Sequence, residues 1–412
     1  IFMAEILTSP SLNLLRNQLD FTCVPFSDRG SRLLVFLNPE EDSIFIRLAE
    51  RLISLDADIE AYIRRPPFIH NLTFVDDKGE SLKFETTTYP HMIFFDTEEG
   101  EFGLTFLDDE TLAVGLPPGN TTGIKFHVSP QFWRVNDQGG EFKFIRNLSY
   151  ETNAEIIENQ ILPEKGGYTV LIIVKTGDDN TIAIKIGDNS ASQAEVLPSS
   201  SIGDSAEERW KKWFEKLPPV DDAYVRTYTY AWWIMANNLV RPKGSIFYEA
   251  MMPSKVNYVG LWLWDSAMHT LAFRHVDPEL ARNQIRAILE CQLDDGMLPD
   301  AVYDEGIVSE IGHPIYAEVT KRPVTIPTVS QTEIIDVEDL LVIGDGGLDA
   351  VDADVLQCAP CPVEQLRPVQ GPHDQLCAHG IIVGRHRVTI VNMSIHPNTG
   401  ATGGVILGDG AG

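Results

Sequence analysis

Near residue 200 the hydrophobic period of this chain changes from two to between three and four. Before that point short apolar runs alternate with turn signals: RLLVFL from Arg32, SIFIRL from Ser43, HMIFFD from His91, EFKFIRN from Glu141, YTVLIIVK from Tyr168 and TIAIKI from Thr181. In the last run Ile182, Ile184 and Ile186 share one face, with Ala183 and Lys185 on the other. That is the pattern of a half-buried antiparallel strand. Many such runs, punctuated by LPPGN, NDQGG and GDDN, predict a β-sandwich over residues 1–200.

A Ser-rich stretch from Ser190 to Ser205 reads as a linker. Ser205 and Glu208 then fit a capping box, and Trp210, Trp213, Phe214 and Leu217 form an apolar stripe, so a linker helix is predicted within 201–220. A second helical run, Asp222 to Val240, holds Tyr224, Tyr228, Tyr230, Trp232 and Trp233, and this aromatic density predicts burial on most sides. A third run begins near Asp265. The fourth opens with Asp277 as cap and Pro278 in the first turn, and turns Leu280, Ile285, Ile288 and Leu289 inward. Strands first and helices second is an α+β order in separate domains.

Charge narrows the partners. The 412 residues carry 32 Lys and Arg against 60 Asp and Glu, a net charge of −28, which repels phosphate backbones and anionic lipid headgroups. Neither nucleic acid nor membrane is expected as a partner. No run approaches the roughly 18 apolar residues of a spanning helix, and the opening IFMAEILTSP lacks the basic start of a signal peptide. The expectation is a soluble, cytoplasmic chain. Five cysteines cannot all pair internally, and Cys23 and Cys291 stand alone, which argues against a disulfide framework.

The composition changes again after Tyr316. All 7 Trp, 11 Tyr and 19 Phe stand at or before that residue, and Lys is absent after Lys321. A helical barrel needs large side chains to fill the space between its helices, and this segment offers Gly-rich and Val/Ile-rich stretches such as LLVIGDGGLDA instead. Residues 321–412 therefore read as an atypical tail of different origin, with a frameshift, a misassembled gene or a fusion junction near Tyr316 to Arg322. Cys358, Cys361, Cys377 and His379 follow a C-x2-C-x15-C-x-H spacing that would suit zinc, but within this tail. No metal and no cofactor is expected.

The richest stretch chemically is Asn257 to His275, NYVGLWLWDSAMHTLAFRH. Two tryptophans at spacing two cannot share a helix face but do share one face of an extended segment. Trp262 and Trp264 are thus expected to point together with Leu263 packed behind, and Asp265 to stand at the start of the third helix. Aromatic rings stack on the apolar faces of sugars, and a carboxylate accepts charge-assisted hydrogen bonds from neighbouring hydroxyls. The same residues read equally as core filler and a helix cap.

The segment GLWLWDSAMHTLAFRHVDPELARNQIRAILECQLDDGMLPDAVYDEG resembles the first part of the catalytic domain of glycoside hydrolase family 63, a family that includes mannosyl-oligosaccharide glucosidase and the mannosylglycerate hydrolase-like enzymes of bacteria. The resemblance rests on the WxWD block opening a helix, the D-P-E-L-A helix after it, and the G-x-[LI]-P turn at Gly296 to Pro299. It is specific from Tyr258 to Glu318 and loose over the first 250 residues. It implies an N-terminal β-sandwich followed by an (α/α)6 barrel, of which residues 221–320 would be the start. It also implies an oligosaccharide or small glycoside as substrate. By position, Tyr258, Trp262, Trp264 and Asp265 match residues lining the family's sugar subsite, and Asp300 falls where another pocket residue is expected.

Such glycosidases invert, one carboxylic acid protonating the leaving oxygen while a second carboxylate activates water. In the family the acid lies in an S-G-x-D motif downstream of WxWD and the base is a Glu farther on. No S-G-x-D occurs here, and between Ser205 and Tyr316 only about four of the twelve barrel helices can be counted. The chain therefore reads as lacking the catalytic pair; Asp294, Asp295, Asp304 and Glu305 are carboxylates near the expected pocket, but acidic loop residues in a chain of net charge −28 are usually just solvated. The resemblance implies hydrolysis of an α-glucoside or α-mannoside. The alternatives are a trehalase or glycogen-debranching type of enzyme, or a carbohydrate-binding protein without an acid and base.

Overall fold

A computed structural model describes residues 9–50, 66–129, 132–143, 146–188, 196–256, 258–292, 298–299, 301–304, 306–308, 376–384 and 387–395. The chain divides into two compact units, Ile1–Gly260 and Leu261–Gly412. No helix among the described residues is long and apolar enough to cross a membrane.

The first unit begins with a short helix, α1 (Pro10–Leu14), and then runs through β1 (Leu33–Asn38), β2 (Ser43–Leu48), β3 (Ile69–Val75), β4 (Glu85–Thr88), β5 (Met92–Thr97), β6 (Gly100–Asp108), β7 (Thr111–Gly115), β8 (Thr121–Val128), β9 (Phe132–Asn136), β10 (Gly139–Lys143), β11 (Asn147–Thr152), β12 (Glu155–Glu164), β13 (Gly167–Lys175) and β14 (Thr181–Gly187). These make a six-stranded sheet, β1-β2-β3-β8-β13-β12, and an eight-stranded sheet, β4-β5-β6-β7-β14-β11-β10-β9. Rings from the two sheets meet between them. Phe74 of β3 lies 4.3 Å from Phe102 of β6 and 4.9 Å from Phe95 of β5, and Phe126 of β8 meets Tyr150 of β11 at 5.7 Å. All five are fully buried, each worth about 1.5 to 3 kcal/mol relative to exposure. The expected strand-rich, antiparallel N-terminal region is thus present, with its two sheets packed face to face.

Local details differ from expectation. TIAIKI is β14, but its outer face is covered too: Ala183 is buried beside Ala113, which in turn pairs with buried Thr105. This row of small side chains admits a helix, α2 (Ser199–Glu215), which packs on β6 and β7. The run EFKFIRN is not one strand, since β10 ends at Lys143 and β11 starts at Asn147.

Helix α2 starts at Ser199, not at Ser205, so the proposed capping box lies inside the helix. Its first turn is capped from a distance: Asp179, in the turn between β13 and β14, accepts hydrogen bonds from Ser199 Oγ at 2.5 Å and from the Ser200 N–H at 3.0 Å. The next helix, α3 (Val225–Asn238), is clamped to α2 by stacked Trp213 and Trp232, 4.6 Å apart, each indole N–H donating to the other's backbone carbonyl at 3.0 Å. Burial of α3 on most sides is not found. Trp232 and Trp233 are buried, whereas Tyr224 and Tyr228 are exposed, because α2 and the sheets cover a single side. A two-stranded ladder of β15 (Leu239–Val240) and β16 (Ala250–Met251) follows.

The second unit contains β17 (Leu261–Trp262), α4 (Leu263–Phe273), α5 (Pro278–Leu289), β18 (Ala301–Tyr303) and β19 (Gly306–Val308), the strands forming an antiparallel sheet in the order β17-β18-β19. Farther on, β20 (Leu376–Gly384) pairs with β21 (Arg387–Ile395). Asp277 caps α5 as the sequence predicts, accepting from the Leu280 N–H at 3.1 Å, with Pro278 at the first helical position. Leu280 and Ile288 are buried; Ile285 and Leu289 are only half-buried.

Candidate functional site

The second unit turns from strand to helix within two residues. Trp262 is extended, with φ −92° and ψ 136°, and pairs with Ala301; helix α4 begins at the next residue. The WLW triplet is therefore split, Trp262 in a strand and Trp264 in the first helical turn, which corrects the expectation of one extended face. Leu263 is half-buried rather than packed behind the rings. The reason is local: β18 is three residues long and its ladder to β17 stops at Trp262, so the backbone carbonyls that follow are satisfied by starting a helix.

Asp265 occupies the first turn of α4 and is half-buried. There the positive end of the helix dipole favours a negative charge. Behind it α4 and α5 form a helical hairpin through small residues. Ser266, Ala267, Thr270, Ala281 and Gln284 are buried, and Thr270 Oγ1 donates to the Ser266 carbonyl at 2.9 Å and to the Ala281 carbonyl at 3.3 Å. The hairpin gives Asp265 and Trp264 a rigid base.

Trp262, Trp264 and Asp265 thus stand together at one junction. Tyr258 belongs to the first unit, where it is 41% exposed and bridges Ser254. Asp300 lies outside the described residues, as do Asp294, Asp295, Glu305, Cys358 and Cys361. Sequence reasoning missed Tyr303, which is buried and meets Trp262 edge-on, ring centroids 6.4 Å apart at 80°. The run AVYDEG held that signal, an aromatic after two strand-forming residues. Cys291 is buried, and burial and then the charge of Glu290 push its thiol up.

The first unit offers a charged cleft, but each of its carboxylates is committed. Glu50, with 4% of its side chain exposed, binds Arg146 at 2.6 Å and Lys243 at 2.7 Å, and Asp188 takes the same two cations at 3.2 and 3.1 Å. Arg241 pairs with Asp109 and, at 2.5 Å, with Glu110. The cavity among them is about 20 Å³, room for about one water. His91 is equally inert: burial, then the charge of Arg209, hold it at about 3, so it stays neutral. Among the described residues no cluster of His, Cys, Asp and Glu could hold a metal ion.

Residues 258–337 match the profile of the mannosylglycerate hydrolase MGH1-like glycoside hydrolase domain. That stretch therefore resembles a glycoside hydrolase domain. Two similar solved structures are a family GH92 alpha-mannosidase from Bacteroides thetaiotaomicron and a family GH92 inverting mannosidase from Bacteroides thetaiotaomicron VPI-5482. The first is 10% identical with a TM-score of 0.45, over 69% of this chain and 50% of its own length. The second is 11% identical with a TM-score of 0.46, over 67% of this chain and 46% of its own length. The chain spans about half the length of these structures. No curated protein matches it.

Proposed function

We propose that the chain belongs to an α-glycosidase of the family 63 type, acting by inversion on an α-glucoside or α-mannoside, with mannosylglycerate a first substrate to test. The observation that carries this reading is the position of the profile match, which begins at residue 258 and contains the whole WLWD junction. In this reading residues 221–320 are the start of an (α/α)6 barrel, and Tyr258, Trp262, Trp264, Asp265 and Asp300 line a sugar subsite. The indoles stack on the sugar's C–H face. The Asp265 carboxylate accepts from two of its hydroxyls, at the end of α4 that best tolerates its charge.

A second reading, binding without hydrolysis, is favoured by the absence of S-G-x-D from the sequence. Loss of one member of an inverting pair removes a contribution on the order of 100- to 10,000-fold. Turnover of p-nitrophenyl α-glycosides and of mannosylglycerate, measured beside calorimetry on the same sugars, separates the two. Turnover supports the hydrolase reading; heat without turnover, weakened in Asp265→Asn, leaves the binding reading; neither heat nor turnover with any of these sugars defeats both.

A further inference from the structure

The six-stranded sheet is interrupted in its middle. Strand β3 carries one residue too many for both of its neighbours: from Ile69 to Leu72 it takes three steps against two on β2, and from His70 to Thr73 three against two on β8. Both ladders therefore shift register over the same residues. Between them Asn71 is exposed and takes φ 46°, a left-handed backbone that a residue with a side chain adopts only at a cost. This seam parts β1-β2-β3 from β8-β13-β12.

Two imidazoles stand on the seam. His70 and His127 are direct partners across the β3–β8 ladder, with ring centroids 5.9 Å apart at 75°. His127 alternates with fully buried Phe126 and Val128, so the pair occupies the face turned away from the ring core. The charged side chains that the strands bring near it are Arg47 on β2, Lys125 on β8 and Glu164 on β12, while β13 sets uncharged Thr169 opposite His127. Lys125 donates to the Gly79 carbonyl at 3.2 Å, and Glu164 lies 3.5 Å from His127 Nδ1.

The two rings meet acid differently. A proton on His127 finds the Glu164 carboxylate beside it, whereas His70 lies between His127 and the Arg47 charge. Burial, then the neighbouring His127, hold His70 below the ordinary histidine value of 6.5, with Arg47 adding to them against the Pro67 carbonyl. Below that value the unfolded chain takes up the proton more readily than the folded one, so falling pH works against the folded seam and rising pH restores it. We propose that the His70–His127 pair is an acid-sensitive clasp: with both rings neutral β3 stays seated on β8, and with both protonated two like charges oppose each other across a ladder already interrupted, so β3 loosens from β8 while β13 and β12 stay paired with it.

Hydrogen exchange read by mass spectrometry on the full chain, at about pH 7.5 and about pH 5 and corrected for the intrinsic effect of pH on exchange, tests this. Protection of β3 should fall at least about tenfold in acid, with the β12–β13 ladder of the same sheet and the β5–β6 ladder of the other largely spared. His70→Phe keeps a ring in place without a titrating group and should abolish the loss. His70→Gln, smaller and also uncharged, should do the same if the larger ring packs poorly, and near-ultraviolet circular dichroism shows which variant is folded. His275→Gln, at an exposed histidine of the second unit, should leave the loss as in the wild type. Protection of β3 that is unchanged in acid overturns the proposal, as does a loss that persists in a folded His70 variant or one that reaches the β5–β6 ladder equally.

Discussion

The sandwich and the strand–helix junction bury different things. Between the sheets, large rings interdigitate at 4.3 to 5.7 Å and are fully excluded from solvent. At the junction Ser266, Ala267 and Ala281 are buried beside larger Leu261 and Tyr303, while Trp262, Trp264 and Asp265 stay partly exposed. A core places its largest apolar surface inside because burial is where that surface contributes stability. Rings left partly exposed contribute less to stability than fully buried ones.

That contrast breaks most readily at Phe74. Phe74→Ala should cost about 3 to 5 kcal/mol in urea unfolding, because its cavity opens between two sheets that cannot collapse onto it. A cost no larger than that of a surface change would mean that the sheets do not share a core.

Lys255 is the exception inside the first unit and gives the next largest effect. Its side chain is fully buried, and its amine lies 3.4 Å from Ser27 Oγ and from the Asp28 carbonyl. Burial, then the charge of Arg32, pushes it well below the ordinary lysine value. The unfolded chain then binds more protons than the folded one below 10.5, so wild-type stability should rise as pH climbs towards that value. Lys255→Met should stabilise by about 1 to 4 kcal/mol at neutral pH and flatten that rise, as thermal melts across the alkaline range would show.

At the junction, Trp264→Ala and Leu263→Ala should each cost only about 1 to 2 kcal/mol, since both side chains are half-exposed. If Trp264→Ala unfolds the chain as severely as Phe74→Ala, the indole is core and the subsite assignment fails.

The smallest effect separates the units by pH. Glu101 lies opposite Asp96 in the β5–β6 ladder, and partial burial, then that neighbouring charge, raise it to about 7. Between 4.5 and about 7 the folded state holds a proton that the unfolded chain has lost, so stability falls as pH rises through that window. Glu101→Gln should remove the slope and add about 1 kcal/mol above it, a figure reduced for solvent screening. A slope that survives the substitution places the titrating group elsewhere.

What could be read in advance was short-range. Short apolar runs became β1, β2, β5, β13 and β14, and the Asp277–Pro278 pair caps α5, because a strand-forming run and a first-turn cap are decided by residues a few positions apart. The WLWD block was visible as a candidate site for the same reason, its residue types lying side by side. What only the tertiary structure decided were matters of long-range contact. Asp179 caps α2 across 20 residues. A small-residue row lets α2 cover β14's neighbours, and Tyr224 and Tyr228 are left in solvent on a helix whose composition suggested burial. Lys255 is sealed beside Ser27 although its sequence neighbours give no hint of it. A backbone hydrogen bond or a cap is satisfied locally, whereas burial depends on which distant surface arrives, and no local pattern encodes that arrival.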